Sequence, residues 1–546
     1  MSLFAKKPMS LLMAEAADSD KGLKKTLGAG ALVALGIGAI IGAGLFSITG
    51  VAAANNAGPS ITISFIVAAL GCAFAGLCYA EFASMIPVAG SAYTYSYATM
   101  GEFIAWVIGW DLVLEYAVGA ATVAISWSRY LAKFLEGFGV QLPPELATGP
   151  WDGGFINLPA VFIVVMVSLL LIKGTKESAN VNAFIVTLKV AVVLIFIFLG
   201  WKYINTENYN PYIPDNLGTF GEFGFSGIIR AAAIVFFAYI GFDAVSTAAQ
   251  EAKNPKKDMP IGILGSLAIC TVLYILFAHV MTGVTSYTSF AGKDGIAPVA
   301  VAIEHMGTAD ANGIIQPDYP WLNRAIVVAI LAGYASVILV MLMGQSRVFF
   351  SMSKDGLLPP VFHKVHPKFR TPAKSNLLFM LFVSLFAAFV PARVVGEMTS
   401  IGTLFAFILV CVGVWILRVK QPDLPRAFKT PLVPLVPILG IVTCLFMMVF
   451  LPLDTWIRLI VWMLIGFDLY LFYGLKKSAL SDHLPATHAR GNRIVSLCGL
   501  CLVALLAVVA FIHHQTAVES DWVLFIFSMG FAALHAILYL GRVAKK

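Results

Sequence analysis

The chain has 546 residues, 59% of them hydrophobic and 12% charged, with a net charge of +7 and a mean hydropathy of +0.87. Soluble domains are about half apolar and a quarter charged, and 36 basic plus 29 acidic residues cannot cover a water-soluble surface of this size. The 40 Phe, 17 Tyr and 10 Trp exclude disorder, and long unbroken apolar runs exclude the alternation of an outer-membrane barrel. What remains is an all-α polytopic membrane protein in a lipid bilayer.

Residues 1–29 hold five lysines and no apolar core, so they form a tail rather than a cleavable signal peptide. Stretches of the length a bilayer requires follow near 30–53, 60–86, 99–134, 157–173, 182–203, 225–250, 260–284 and 322–352. Six more lie near 374–391, 396–418, 434–452, 455–475, 493–512 and 521–541, making fourteen. With the tail inside, 27 of the 36 Lys and Arg fall on the inner side, while Glu207, Asp215, Glu222, Asp294, Glu304, Asp310 and Asp318 lie outside. That asymmetry predicts a multi-pass protein of the cell membrane with both termini cytoplasmic. It also accounts for the net positive charge without any nucleic acid. The 285–321 loop has room for a short helix. No phosphate-binding loop or dinucleotide fingerprint occurs, no cofactor or metal is expected, and the seven cysteines read as buried thiols. His363 with His366, and His513 with His514, read as solvated rather than catalytic, so an enzyme is not expected.

Polar chemistry inside the spans is sparse. Span 1 reads GALVALGIGAIIGAGLFSITG, with Gly42, Ala43 and Gly44 at mid-depth. Glycines in a membrane helix serve close packing. Here they also mark a place to unwind, where N–H groups and the positive end of the next half-helix would bind a carboxylate. Span 6 reads IVFFAYIGFDAVSTAAQEAKNP, with Gly241 and the acid Asp243 inside an apolar run. A charge at that depth costs at least ~2.5 kcal/mol and marks a functional candidate. Interrupted helices five apart point to an inverted-repeat transporter. Lys189 in span 5 could carry a proton, stand as a fixed ammonium, or snorkel. Glu115 in span 3, beside Tyr116, could pair with Lys189, titrate, or meet a substrate amine. Asp111, one turn earlier, is expected nearer the interface.

Four stretches in order carry a family resemblance: GIGAIIGAGLFSITG, YAEFASMIPVAGSAYTYSYATMGEFIAWVIGWDLVLEY, FFAYIGFDAVSTAAQEAKNPKKDMPIGI and GQSRVFFSMSKDGLLPPVFHKVHPKFRTP. The chain resembles the amino acid–polyamine–organocation transporters, and within them the cationic amino acid transporters. The resemblance implies a LeuT-like core over 30–418, built from inverted repeats at about 30–203 and 225–418, with four additional helices over 434–541. It implies that N–H groups around Gly42, Ala43 and Gly44 bind the α-carboxylate. Carbonyls of Ile40, Phe237, Ala238 and Ile240 would take the α-amino group, and Phe237 would gate the site from outside. Lys189 matches the lysine that replaces sodium in proton-coupled members, with Asp243, Glu115, Tyr116 and Tyr274 completing a polar network. Ala43 departs from the family's Thr or Ser and removes one hydroxyl contact. The expected function is uptake of amino acids with protons by alternating access. Exchange on the same fold, or sensing without transport, are the alternatives. Substrate side chain and oligomeric state stay open.

Overall fold

The computed structural model describes residues 3–8, 10–12, 27–86, 88, 90–173, 178–249, 252–291, 298–309, 315–369, 371–480, 485–517 and 522–544. Most of the lysine-bearing tail, Asp294 and Asp310 lie outside the described residues. Among the described residues, ten helical segments are long and apolar enough to cross a membrane, the first of them (Ala29–Met85) holding spans 1 and 2, and three shorter apolar helices account for the rest of the fourteen stretches.

Span 1 begins as Ala29–Ile40, loses helical geometry at Ile41 and Gly42, and resumes through Gly44–Ile48, Thr49–Ala52 and Ala53–Ala57. Two of those segments are wide π-turns. Gly58 (φ +60°) ends the span before span 2, Ile61–Met85. A separate short helix, Ser91–Thr99, precedes span 3, which starts at Glu102 rather than at residue 99. Span 3 runs Glu102–Val113, Leu114–Val118 and Gly119–Glu136, its middle piece another π-turn. Spans 4 and 5 are Leu158–Lys173 and Ser178–Gly200. Span 6 is Gly224–Val235, a tight turn Phe236–Tyr239, a non-helical stretch, and Ala244–Thr247. Spans 7 to 10 are Pro255–Val284, Pro320–Lys354, Ala373–Phe389 and Ala392–Lys420. Spans 11 to 14 are Leu435–Val449, Leu453–Leu469 with its extension to Lys477, Pro485–Thr516, and Trp522–Ala544. The loop before span 8 carries the expected short helix, Pro298–Glu304, and a small hairpin pairing Gly307–Ala309 with Ile315–Pro317.

Helix contacts follow a pattern: span 2 lies against span 7, span 3 against span 8, span 4 against span 9, and the breaks of spans 1 and 6 meet. Span 3 is the most enclosed, 94% buried, while spans 13 and 14 are 33% and 22% buried and form the rim. An apolar residue on that rim faces what the bilayer would supply. This corrects the reading of the cysteines. Cys72, Cys78, Cys270, Cys411 and Cys444 are buried, but Cys498 is half-buried and Cys501 is exposed on span 13.

Two clasps tie helices together on the face that carries the termini. Leu3–Lys7 lies across the start of span 3. The carbonyls of Leu3 and Ala5 accept from the N–H groups of Phe103 (3.0 Å) and Glu102 (3.1 Å), and the Lys7 N–H donates to Tyr97. Lys7 Nζ meets Asp355 Oδ1 at 2.7 Å, and Tyr93 donates to Oδ2. The Glu102 carboxylate accepts from Tyr97, Tyr470 and Ser478, so span 12 joins the same knot. A Cβ on Gly101 (φ +102°) would strike the Phe4 backbone at 2.5 Å, which is why the strap can lie so close.

In the second clasp, Glu81 at the end of span 2 is fully buried. It accepts from Arg418 Nε (2.9 Å), Arg426 Nε (3.0 Å) and the Thr430 N–H (2.8 Å). Breaking a buried pair by removing one partner costs about 3–5 kcal/mol. Glu81→Ala is therefore expected to lower the thermal unfolding midpoint clearly in a thermal-shift assay, and an unchanged midpoint would contradict the role given to this clasp.

Candidate transport site

The sequence places six glycines in span 1, and the structure shows which of them matter at the break. A Cβ on Gly44 would run into the Ala238 backbone, so the two broken spans touch there without intervening side chains. Gly241, at φ +116°, brings span 6 to within 2.9 Å of the Ala39 backbone by the same measure. Gly42 faces Val337 of span 8, whose Cγ2 would lie 3.1 Å from a Cβ. The first N–H groups of a helix have no intrahelical partner, and the half-helix beginning at Gly44 starts at the break, where the Phe46 N–H donates to the Gly42 carbonyl at 3.2 Å.

Three polar groups hold the break. Tyr274 of span 7 donates to the carbonyls of Ile40 and Ala238, 2.9 Å each, bridging spans 1 and 6. The Ile240 N–H donates to the Phe237 carbonyl. So the four carbonyl-bearing residues Ile40, Phe237, Ala238 and Ile240 do gather at one place, three of them already engaged within the protein. Each carbonyl keeps a second lone pair for a solute. Lys189 is 1% exposed, so it does not snorkel. Its ammonium donates to the carbonyls of Gly38 (2.6 Å), in the last turn of the first half-helix, and Ile41 (2.9 Å), where the helix unwinds. Gly333 of span 8 makes room for it, since a Cβ there would come within 2.9 Å of the Lys189 chain.

Glu115 does not pair with Lys189. It lies with Tyr116 in the π-turn of span 3, next to Asp243 of span 6. Tyr116 donates to Asp243 Oδ2, while Asp243 Oδ1 and both Glu115 oxygens lack a hydrogen-bond partner. Asp111 is fully buried rather than interfacial, and its two oxygens are also unpartnered. A buried ionised carboxylate without partners is costly, and so this file of three acids is suited to holding protons. The π-turn that presents Glu115 and Tyr116 leaves no trace in residue type or spacing.

On the face opposite the termini, a cavity of about 700 Å³ opens above the break. Ser47, Thr122, Ile234 and Ser400 form its inner end, and Arg129, Arg230 and Arg393 line its walls. Phe237, one turn beyond Ile234, is 4% exposed. The aromatic group behind the break was not legible in sequence. Ser47 bonds Tyr334 (2.9 Å), Tyr130 donates to the Phe46 carbonyl (2.5 Å), and Phe46 packs edge-on against Phe277. Its only signal was aromatic residues scattered through spans 3, 7 and 8. The histidine pairs are half-buried rather than fully solvated: His363 bonds Ser353, and His514 packs on Trp522 and Phe525. Among the described residues, no group of His, Cys, Asp or Glu could hold a metal ion.

The apolar helices of the described residues, with two of them broken where glycines let their backbones meet, define a polytopic membrane transport protein. The family model of amino acid permeases matches residues 27–469. The chain belongs to the amino acid permease family, within the amino acid–polyamine–organocation transporters. It is 47% identical to the branched-chain amino acid permease BcaP of Bacillus subtilis over 88% of this chain and 99% of that protein. It is 42% identical to the methylthioribose transporter of the same organism, with the same coverage. Cationic amino acid transporter 4, vacuolar, of Arabidopsis thaliana is 34% identical over 74% of this chain and 65% of its own length. These relatives are permeases and transporters, and this chain is a transport protein rather than an enzyme.

Proposed function

We propose that the protein imports neutral L-amino acids, branched aliphatic ones foremost, together with protons across the cell membrane. The observation that carries the reading is the Lys189 ammonium, sealed from water and bonded to the Gly38 and Ile41 carbonyls where the first half of span 1 ends and unwinds. With its proton, Lys189 clamps the unwound turn to span 5. Without it, one donor is lost and the clamp loosens, so proton gain and loss bias two arrangements of span 1. A zwitterion would place its carboxylate on the N–H groups of Gly42, Ala43 and Gly44, and its ammonium on the carbonyls of Ile40, Phe237, Ala238 and Ile240. Backbone dipoles at both ends offset the desolvation of the zwitterion. The side chain would lie against Val337 and Phe237, which suits an apolar group. Glu115 and Asp243 stand beside Tyr116, which bonds Asp243, and would relay protons rather than bind a cationic side chain. Methylthioribose has neither carboxylate nor ammonium and would leave both backbone sets unused.

The pairing of spans 2 with 7, 3 with 8 and 4 with 9 supports an internal two-fold relation between residues 30–203 and 225–418, with 434–541 as four added helices. The Lys and Arg asymmetry supports cytoplasmic termini, so that the cavity above the break faces outside. Uptake of labelled L-leucine into proteoliposomes, with and without an imposed inward proton gradient, tests the reading. Accumulation above the external concentration only with the gradient is expected. Uptake that ignores the gradient and requires amino acid preloaded inside would identify an exchanger instead.

A further inference from the structure

The outer cavity holds charges that the central site does not use. Arg129 pairs with Asp152 at 3.5 Å, and Arg393 pairs with Glu397 at 2.8 Å. Arg458 also reaches Glu397 (3.4 Å) from span 12. Arg230 is different. Its Nη1 donates to the Phe220 carbonyl at 3.0 Å, and among the described residues no carboxylate lies within 4.0 Å of it. A guanidinium has five donors in a rigid fork that matches a carboxylate in two parallel bonds. Glu222 lines the same cavity and is within electrostatic reach of Arg230, together with Arg393, Glu397 and Asp454, yet no ion pair joins Glu222 to Arg230. A cation and an anion sharing one cavity without touching leave a gap that a zwitterion's two charged ends would bridge.

The placement is directional. Arg230, Ile234 and Phe237 are spaced by four and three residues, so they lie on one face of span 6. Arg230 is therefore about 10 Å outward of Phe237 at ~1.5 Å per residue, and Ile234 between them offers an apolar surface. We infer that the cavity contains a second, outer solute site, in which Arg230 takes the α-carboxylate and Glu222 the ammonium of an amino acid before it passes Phe237 to the break. The inference rests on the amino acid reading given above. An outer site of this kind raises the local solute concentration at the lid and so acts on capture rather than on turnover.

Equilibrium binding of labelled L-leucine to the purified full-length chain, paired with uptake into proteoliposomes, tests it. Two leucines per chain at saturation are expected for the wild type and one for Arg230→Gln. The variant should show about a ten-fold higher KM for uptake and an unchanged kcat. Arg230→Lys, which keeps the charge but not the fork, should fall between them. Glu222→Gln carries the same prediction if Arg230→Gln does not fold. A single leucine on the wild type, with Arg230→Gln unchanged in binding and uptake, overturns the outer site and leaves the transport reading intact. Leucine bound nowhere on the wild type overturns both.

Discussion

Lys189→Ala is expected to lose gradient-driven accumulation of L-leucine by ten-fold or more. The two carbonyls that Lys189 serves, on Gly38 and Ile41, are buried. Leaving a buried polar group unsatisfied costs about 1–3 kcal/mol, and ten-fold corresponds to about 1.4 kcal/mol. The loss should fall on coupling: a proton gradient should no longer raise the internal level above the external one, whatever flux remains. Wild-type accumulation in this variant would sink the assignment. Lys189→Arg is not expected to rescue, because the lysine stem already packs closely on Gly333 and a bulkier guanidinium would crowd it. A guanidinium also does not give up its proton.

Gly44→Ala is the most severe single change expected at the break. The added methyl group meets the Ala238 backbone, which cannot rotate away as a side chain can. Overpacking of this kind costs about 1–3 kcal/mol, and here it separates the two half-helices whose polar ends form the site. Uptake of L-leucine should fall about a hundred-fold, with binding lost in parallel. Gly42→Ala offers an internal control. Its new methyl would meet Val337 Cγ2 at 3.1 Å, a side-chain atom that can turn aside, so a loss of only a few-fold is expected. Equal effects at Gly42 and Gly44 would contradict the close approach of spans 1 and 6.

The sequence revealed the spans because a bilayer imposes length and hydropathy on every one of them. It revealed Lys189, Asp243 and Glu115 because a charge is conspicuous in an apolar run. It did not reveal their partners. Glu115 was open to pairing with Lys189, yet Lys189 is bonded to backbone carbonyls and Glu115 stands beside a second acid. Partners on other spans depend on which faces meet, and residue type carries little of that information. Asp111 shows the limit from the other side. Position in a span suggested an interface, but its neighbours on span 10, packed close enough at Gly402 to approach it, seal it completely. The outer arginines were hidden for a different reason: they lie toward the outer ends of spans 3, 6 and 10, where basic residues are common, and only the cavity shows which of them face solute.

The strap at Leu3–Lys7 bears on how the chain is made. Its seat includes Glu102, whose carboxylate is completed by Tyr470 and Ser478, partners 368 and 376 residues further on. Loop closure over such distances comes late. The knot around Glu102 is therefore complete only after span 12 has emerged. Insertion of the helices and completion of the terminal knot become separate events. A chain ending after span 10 would leave Glu102 with Tyr97 alone among these side-chain partners, so the end of span 12 acts as the fastener of the knot.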